Sequence, residues 1–277
     1  MIIWLASYPK SGNTWMWFFI KSYFNPPDKK LSLNHPIDDL NILETFPTER
    51  RFEELNIRYQ DFYEISKNWI NLQSLINLND KINYLKTHNA MCTINNNKFT
   101  DVHNTLGAIY IVRDPRDVLV SYSSYMDESI DKTLNILLSN DSYEYGKFKD
   151  KFYRKSLMGS WSSHYNSWKN YKSKEIILVK YEDMVNEPNS TFLRVLNYLK
   201  KINKIKIDQN KMRHAIKETS FENLKKLEIS QGFKVNPSNK PFFRKGKTGD
   251  WKEKLTKHQA KKIEKYFKKE MEELNYL

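Results

Sequence analysis

Residues 8 to 15 read Tyr-Pro-Lys-Ser-Gly-Asn-Thr-Trp. Within them Lys10 supplies a full positive charge, while Ser11, Asn13 and Thr14 supply side-chain donors. Gly12 lets the backbone come close to a ligand. The apolar run 2–6 precedes this turn and residues 14–24 follow it as a predicted helix. A strand that passes through a tight turn into a helix leaves the first helical amides without partners, and the helix dipole favours negative charge there. The spacing therefore predicts an anion site. It is not a nucleotide P-loop of the form G-x-x-x-x-G-K-[ST], because the lysine comes before the glycine. Gly246-Lys247-Thr248 imitates the end of that motif, but Pro241 stands where its first glycine is required.

Two further residues could act on what the turn holds. His88 ends the stretch 82–88, which reads as a strand running into a loop, and lies near Lys86. A neutral imidazole with an ordinary pKa near 6.5 can take a hydroxyl proton at physiological pH, although a lone histidine is more often structural or solvated. Arg113 ends the apolar run 108–112, and a guanidinium can grip a phosphate through two parallel bonds. The alternative for Arg113 is an ion pair with Asp114 or Asp117.

The elements that must position these residues follow from the hydrophobic pattern. Runs 2–6, 108–112 and 176–179 are apolar without alternation, as expected of strands buried on both faces, and 82–88 reads as a further strand ending in a loop. Asp114 and Pro115 mark a helix start whose buried face carries Val118, Leu119, Tyr122 and Met126. Residues 188–199 place Phe192, Val195, Leu196 and Leu199 on one helical face. Thr256 and Gln259 form a capping box for a last helix burying Ile263, Phe267, Met271 and Leu274. Residues 25–80 read as helices and loops. The stretch 225–254, with nine Lys or Arg and three Asp or Glu, reads as a long mobile loop. Strands separated by helices predict an α/β fold, a central parallel sheet flanked by helices, in one domain spanning residues 1–277.

The chain has 277 residues and a formal charge of +13, which implies an anionic partner and says nothing about the fold. Its one cysteine excludes an intrachain disulfide and a cysteine-rich zinc site, and the six histidines have no ligand spacing. The early apolar run is too short for a signal peptide or a membrane span, and the protein is expected in the cytoplasm.

The ordered set of segments adds a second line of argument. The turn 8–15, "KTH" (86–88), "RDPRDVLVSYSSY" (113–125), "KYEDM" (180–184), "TSF" (219–221) and "FFRKGKTGDWK" (242–252) resembles the signatures of the cytosolic-type sulfotransferases, in the same order. Members of that family use 3′-phosphoadenosine 5′-phosphosulfate (PAPS) and release 3′-phosphoadenosine 5′-phosphate (PAP), without a metal. The resemblance implies the P-loop-like sulfotransferase fold and a role for each matching residue. Lys10 would support the leaving phosphate. Ser11, Gly12, Asn13, Thr14 and Trp15 would cradle the 5′-phosphate, with Trp15 also beside the adenine. Asn13 replaces the usual threonine.

The same resemblance makes His88 the general base and lets Lys86 orient the transferring group. Arg113 and Ser121 would hold the 3′-phosphate, with Arg244, Lys245 and Gly246 closing on it. Tyr181, Thr219 and Phe221 would contact the adenine. His164 is left outside the site. The acceptor would be a small molecule with a hydroxyl or an amine, walled by parts of 25–80, 126–158 and 225–243. Phe46, Tyr59, Tyr63 and Trp69 are candidates to line its pocket, with ordinary helix packing as the first alternative for each. Of the family's dimer signature only Lys252 and Thr256 survive, which implies a monomer or a non-standard dimer. Two other readings predict different behaviour: a metal-dependent nucleotide phosphotransferase on a related fold, and a non-catalytic polyanion binder with steeply salt-dependent binding to nucleic acid or lipid.

Overall fold

Ile2, Trp4 and Ala6 pack to one side of strand β1 (Ile2–Ser7), Ile3 and Leu5 pack to the other, and all are buried. A strand of this kind must be covered on both faces. The computed structural model describes residues 1–26, 29–34, 45–58, 61–148, 151–233 and 240–277. In it β1 pairs in parallel with β2 (Asn83–Thr87) and β5 (Thr105–Val112), and β5 pairs with β8 (Ile176–Lys180). The sheet order is β2-β1-β5-β8. One face packs on helices Asn13–Phe24, Pro188–Asn203 and Gln209–Glu218 through Met16, Phe19, Phe192, Val195 and Met212. The other packs on helices Pro115–Met126 and Trp161–Lys169 and on the C-terminal helices through Val118, Trp161, Ile263 and Phe267. This is the expected α/β architecture with a helix-flanked parallel sheet.

Most predicted elements occur within a residue or a few of their expected bounds. Asp114 caps its helix by accepting from the Arg116 amide, with Pro115 in the first turn. Thr256 and Gln259 form the capping box of Lys257–Tyr266, and a break at Phe267 starts the short helix Lys268–Glu273. Met126 departs from expectation. It lies in the last helical turn, is 37% exposed and faces a cavity instead of the core.

The stretch expected as a loop from 225 is also corrected. Helix Phe221–Gln231 runs through its beginning, capped by the Ser220 hydroxyl on the Asn223 amide and stopped at Gly232. A further turn, Trp251–Lys254, closes its end. Residues 234–239, like Tyr59, lie outside the described residues. Two antiparallel hairpins accompany the sheet, β3 (Thr93–Ile94) with β4 (Asn97–Lys98), and β6 (Tyr143–Phe148) with β7 (Lys151–Leu157). Among the described residues no helix is long and apolar enough to cross a membrane.

Candidate active site

All four sheet strands run the same way, so Ser7, Thr87, Val112 and Lys180 end at one edge. The next residues in the chain are the turn 8–12, His88, Arg113 and Tyr181. A crevice outside the carboxyl ends of parallel strands is where such sheets bind ligands. Here it forms a cavity of about 1330 Å³ lined by Lys10, Lys86, His88, Arg113 and Ser121, among others.

The turn is shaped by two left-handed residues, Lys10 at φ 65° and Gly12 at φ 103°. Gly12 has no alternative: a Cβ there would lie 2.6 Å from the Tyr181 ring. The amides of Trp15 and Met16 bond the Gly12 carbonyl. Those of Ser11, Gly12, Asn13 and Thr14 find no acceptor among the described residues. The Ser11 hydroxyl, the indole nitrogen of Trp15 and Nε of Arg113 are buried donors without a partner. Buried donors left open in this way cost stability unless a ligand takes them up.

Asn13 is placed differently from the sequence reading. Its side-chain amide donates to the carbonyls of Leu5 at 2.8 Å and Thr87 at 3.3 Å, so it ties β1 to β2 behind the turn. Arg113 forms no ion pair with Asp114 or Asp117. Its Nη1 donates to the Lys10 carbonyl and Nη2 to the Lys247 carbonyl, each at 3.1 Å, and its guanidinium lies 4.2 Å from the Tyr181 ring centroid.

His88 is buried at the end of β2. Its Nδ1–H donates to the Ser7 carbonyl at 2.7 Å, which leaves Nε2 as the acceptor nitrogen. Burial pushes its pKa down to about 4, with Lys86 and Lys10 adding to the fall and Glu144 and the Ser7 carbonyl opposing it. The imidazole is therefore neutral at physiological pH and a weaker base than an ordinary histidine. His164 stays outside the site. It bonds the Tyr110 hydroxyl at 2.9 Å and the His88 carbonyl at 3.1 Å, and so supports the backbone that carries His88.

Lys86 donates to the Thr14 hydroxyl at 2.8 Å, and burial lowers its pKa to about 8. Lys10 is lowered to about 7 by burial and by Lys86, Arg113 and Arg244. Arg244 bonds Asp250 at 2.8 Å and Lys245 bonds the same carboxylate, so both line the cavity while already paired. Asp117 fixes this segment by accepting from the amides of Gly249 and Trp251. Phe221 reaches the cavity and packs on Gly246, where a Cβ would fall 2.2 Å from its ring. Thr219 does not line it: fully buried, it donates its hydroxyl to the Ala215 carbonyl at 2.7 Å, and Ser220 takes the wall position. Ser11 likewise lies behind the wall.

The far wall draws on all three expected segments, with Thr45 and Glu49 from 25–80, Ile136 and Glu144 from 126–158 and Phe233 and Phe242 from 225–243, but the aromatic candidates do not line it. Phe46 and Trp69 are core residues packed around Trp4 and Phe99, and Tyr63 is 40% exposed without lining the cavity. Large apolar side chains there fill the second layer of the sheet. Beside the wall residues stand Tyr122, Tyr125 and Tyr143, so the helix before residue 126 also contributes. Tyr125 and Glu144 were not singled out by motif. Tyr125 carries only the weak signal of an aromatic residue one turn beyond Ser121.

A family model described as "Sulfotransferase domain" matches residues 2–275. The rabbit (Oryctolagus cuniculus) amine sulfotransferase is 25% identical over 282 residues, covering 98% of this chain and 81% of that protein. Cytosolic sulfotransferase 13 of Arabidopsis thaliana is 27% identical, covering 96% and 76%. Among solved structures, mouse sulfotransferase SULT7A1 complexed with PAP has a TM-score of 0.63 at 24% identity, covering 98% of this chain and 84% of that one. With its parallel sheet, its lysine-bearing turn and a match from end to end, the chain belongs to the sulfotransferase domain family.

Proposed function

We propose that this sulfotransferase takes its sulfuryl group from PAPS and passes it to a hydroxyl or amine of a small acceptor, with His88 as general base. One observation carries the reading: open amides at Gly12–Thr14, with Lys10 and Arg113 free of carboxylate partners among the described residues, share a cavity with a neutral imidazole whose Nδ1 is fixed on Ser7. The buried Arg113 Nε, without a partner among the described residues, suits an anionic nucleotide. The SULT7A1 structure, named as a PAP complex, supports the same choice.

When bound, the nucleotide supplies an activated sulfuryl group on a phosphate leaving group. The chain's contribution is positioning and charge. Amides 12–14 and Lys10 neutralise negative charge at the turn, and Arg113, Ser121, Arg244 and Lys245 hold the second phosphate. Trp15, Tyr181 and Phe221 offer apolar faces to the base. His88 Nε2 takes the acceptor proton, and the Ser7 carbonyl keeps Nδ1 protonated throughout.

Thermal unfolding with PAP tests this reading. PAP at 100 times its dissociation constant raises stability by about 2.7 kcal/mol, and ATP, which lacks the 3′-phosphate, gives much less. Equal stabilisation by both nucleotides, or by neither, would rule the reading out. Activity with PAPS that survives EDTA distinguishes it from the phosphotransferase alternative.

A further inference from the structure

The ammonium of Lys10 lies 4.1 Å from the ring centroid of Tyr125 and 4.0 Å from that of Phe242. Among the described residues no carboxylate comes within ion-pair distance of it. Tyr125 belongs to helix Pro115–Met126 and Phe242 to the segment that also carries Arg244 and Lys245. The two rings stand edge to face at 6.3 Å and 87°. Phe242 is fixed from behind: its amide donates to one oxygen of Glu228 at 2.6 Å, and the Phe243 amide donates to the other at 2.9 Å.

The charged groups facing Lys10 are Lys86 from β2, Arg113 after β5, Arg244 from the Phe242 segment and Glu228 from helix Phe221–Gln231. Three of these repel an ammonium, and the single acid already accepts from two backbone amides. A carboxylate placed beside Lys10 would hold the lysine but would also repel an incoming phosphate. An aromatic face attracts a cation through its quadrupole and presents no anion to compete with the ligand.

We propose that Tyr125 and Phe242 are positioning residues for Lys10, their rings standing in for a counter-anion so that seating the 240–246 segment and aiming the lysine are one event. The assignment rests on Lys10 being the residue that meets the donor.

Competitive acetylation of Lys10 across pH, followed by mass spectrometry on the nucleotide-free protein, reads the clamp without any ligand. The wild-type midpoint is expected at about 7. Phe242→Leu and Tyr125→Leu each lower it by about half a pH unit, and Phe242→Tyr, which keeps a π face, leaves it in place. Calorimetry with PAP is the second arm. If bound Lys10 is protonated, a half-unit fall makes the leucine variants about threefold weaker at pH 8 and within about 1.5-fold of wild type at pH 6.

A midpoint that stays put or rises in both leucine variants overturns the clamp. So does a PAP defect of equal size at both pH values, which would mean ordinary packing. Urea titration of the same variants shows that the comparison is between folded proteins. If the midpoints fall but wild type binds no PAP, the donor reading fails and the clamp stands. If PAP binds normally and the midpoints do not move, the reverse holds.

Discussion

Arg113 donates to the carbonyl of Lys10 at 3.1 Å, so the arginine at the end of β5 holds the backbone of the turn at the end of β1. Its other terminal nitrogen holds Lys247 at the same distance, while Nε stays open. A planar fork can therefore brace two loops and keep a donor for a ligand.

Lysine cannot do this from one point charge. Arg113→Lys is expected to weaken PAP binding by at least tenfold, read by calorimetry, and to leave the two loops less restrained. Wild-type affinity in the lysine variant would remove Arg113 from the nucleotide site.

His88 makes a different kind of prediction. His88→Ala is expected to lower kcat by about 10²-fold or more, within the usual contribution of acid–base catalysis, while the stabilisation by PAP is kept. Because the pKa of the free protein is depressed to about 4, the acid limb of kcat/KM falls near pH 4 and not near 6.5. An acid limb at 6.5 that persists in the alanine variant would assign it to another group.

Strands β1, β5 and β8 and the turn were legible because burial on both faces leaves an unbroken apolar run, and because a lysine and glycine between strand and helix have few structural uses. Side-chain direction was not legible. Asn13 looks like a donor for a ligand until β2 is known to bring the Thr87 carbonyl beside it. Thr219 looks available until its helix supplies the Ala215 carbonyl. Which side chains of the opposite wall face the cavity was not legible either, because Phe46 and Trp69 are as apolar as any pocket lining, and only tertiary packing shows that they cover Trp4 and Phe99. Helix Phe221–Gln231 was missed because charge obscured its apolar Leu224 and Leu227.

Gly12 joins both levels. Its φ of 103° is open to glycine, and the Tyr181 ring closes the space a methyl group would need. Gly12→Ala is expected to cost about 1–3 kcal/mol in urea denaturation, from backbone strain and displacement of Tyr181. A Gly12→Ala/Tyr181→Ala pair recovers the steric part only, because the strain remains. Full recovery in the pair would show that φ carries no cost there.

The last prediction concerns acid stability. Burial lowers the pKa of His164 to about 3, with the charge of His88 adding to the fall, and lowers that of His88 to about 4. Unfolded, both titrate near 6.5, so between that value and their folded pKa the unfolded chain binds more protons. The stability these groups contribute is therefore intact above pH 6.5 and is lost as the pH falls toward 4. Each adds a slope of up to about 1.4 kcal/mol per pH unit in that window. His164→Gln can still bond the Tyr110 hydroxyl and the His88 carbonyl but cannot titrate, so its unfolding free energy should fall less steeply from pH 6 to pH 4.5. A slope equal to wild type would mean that His164 is protonated in the folded protein as readily as in the unfolded chain.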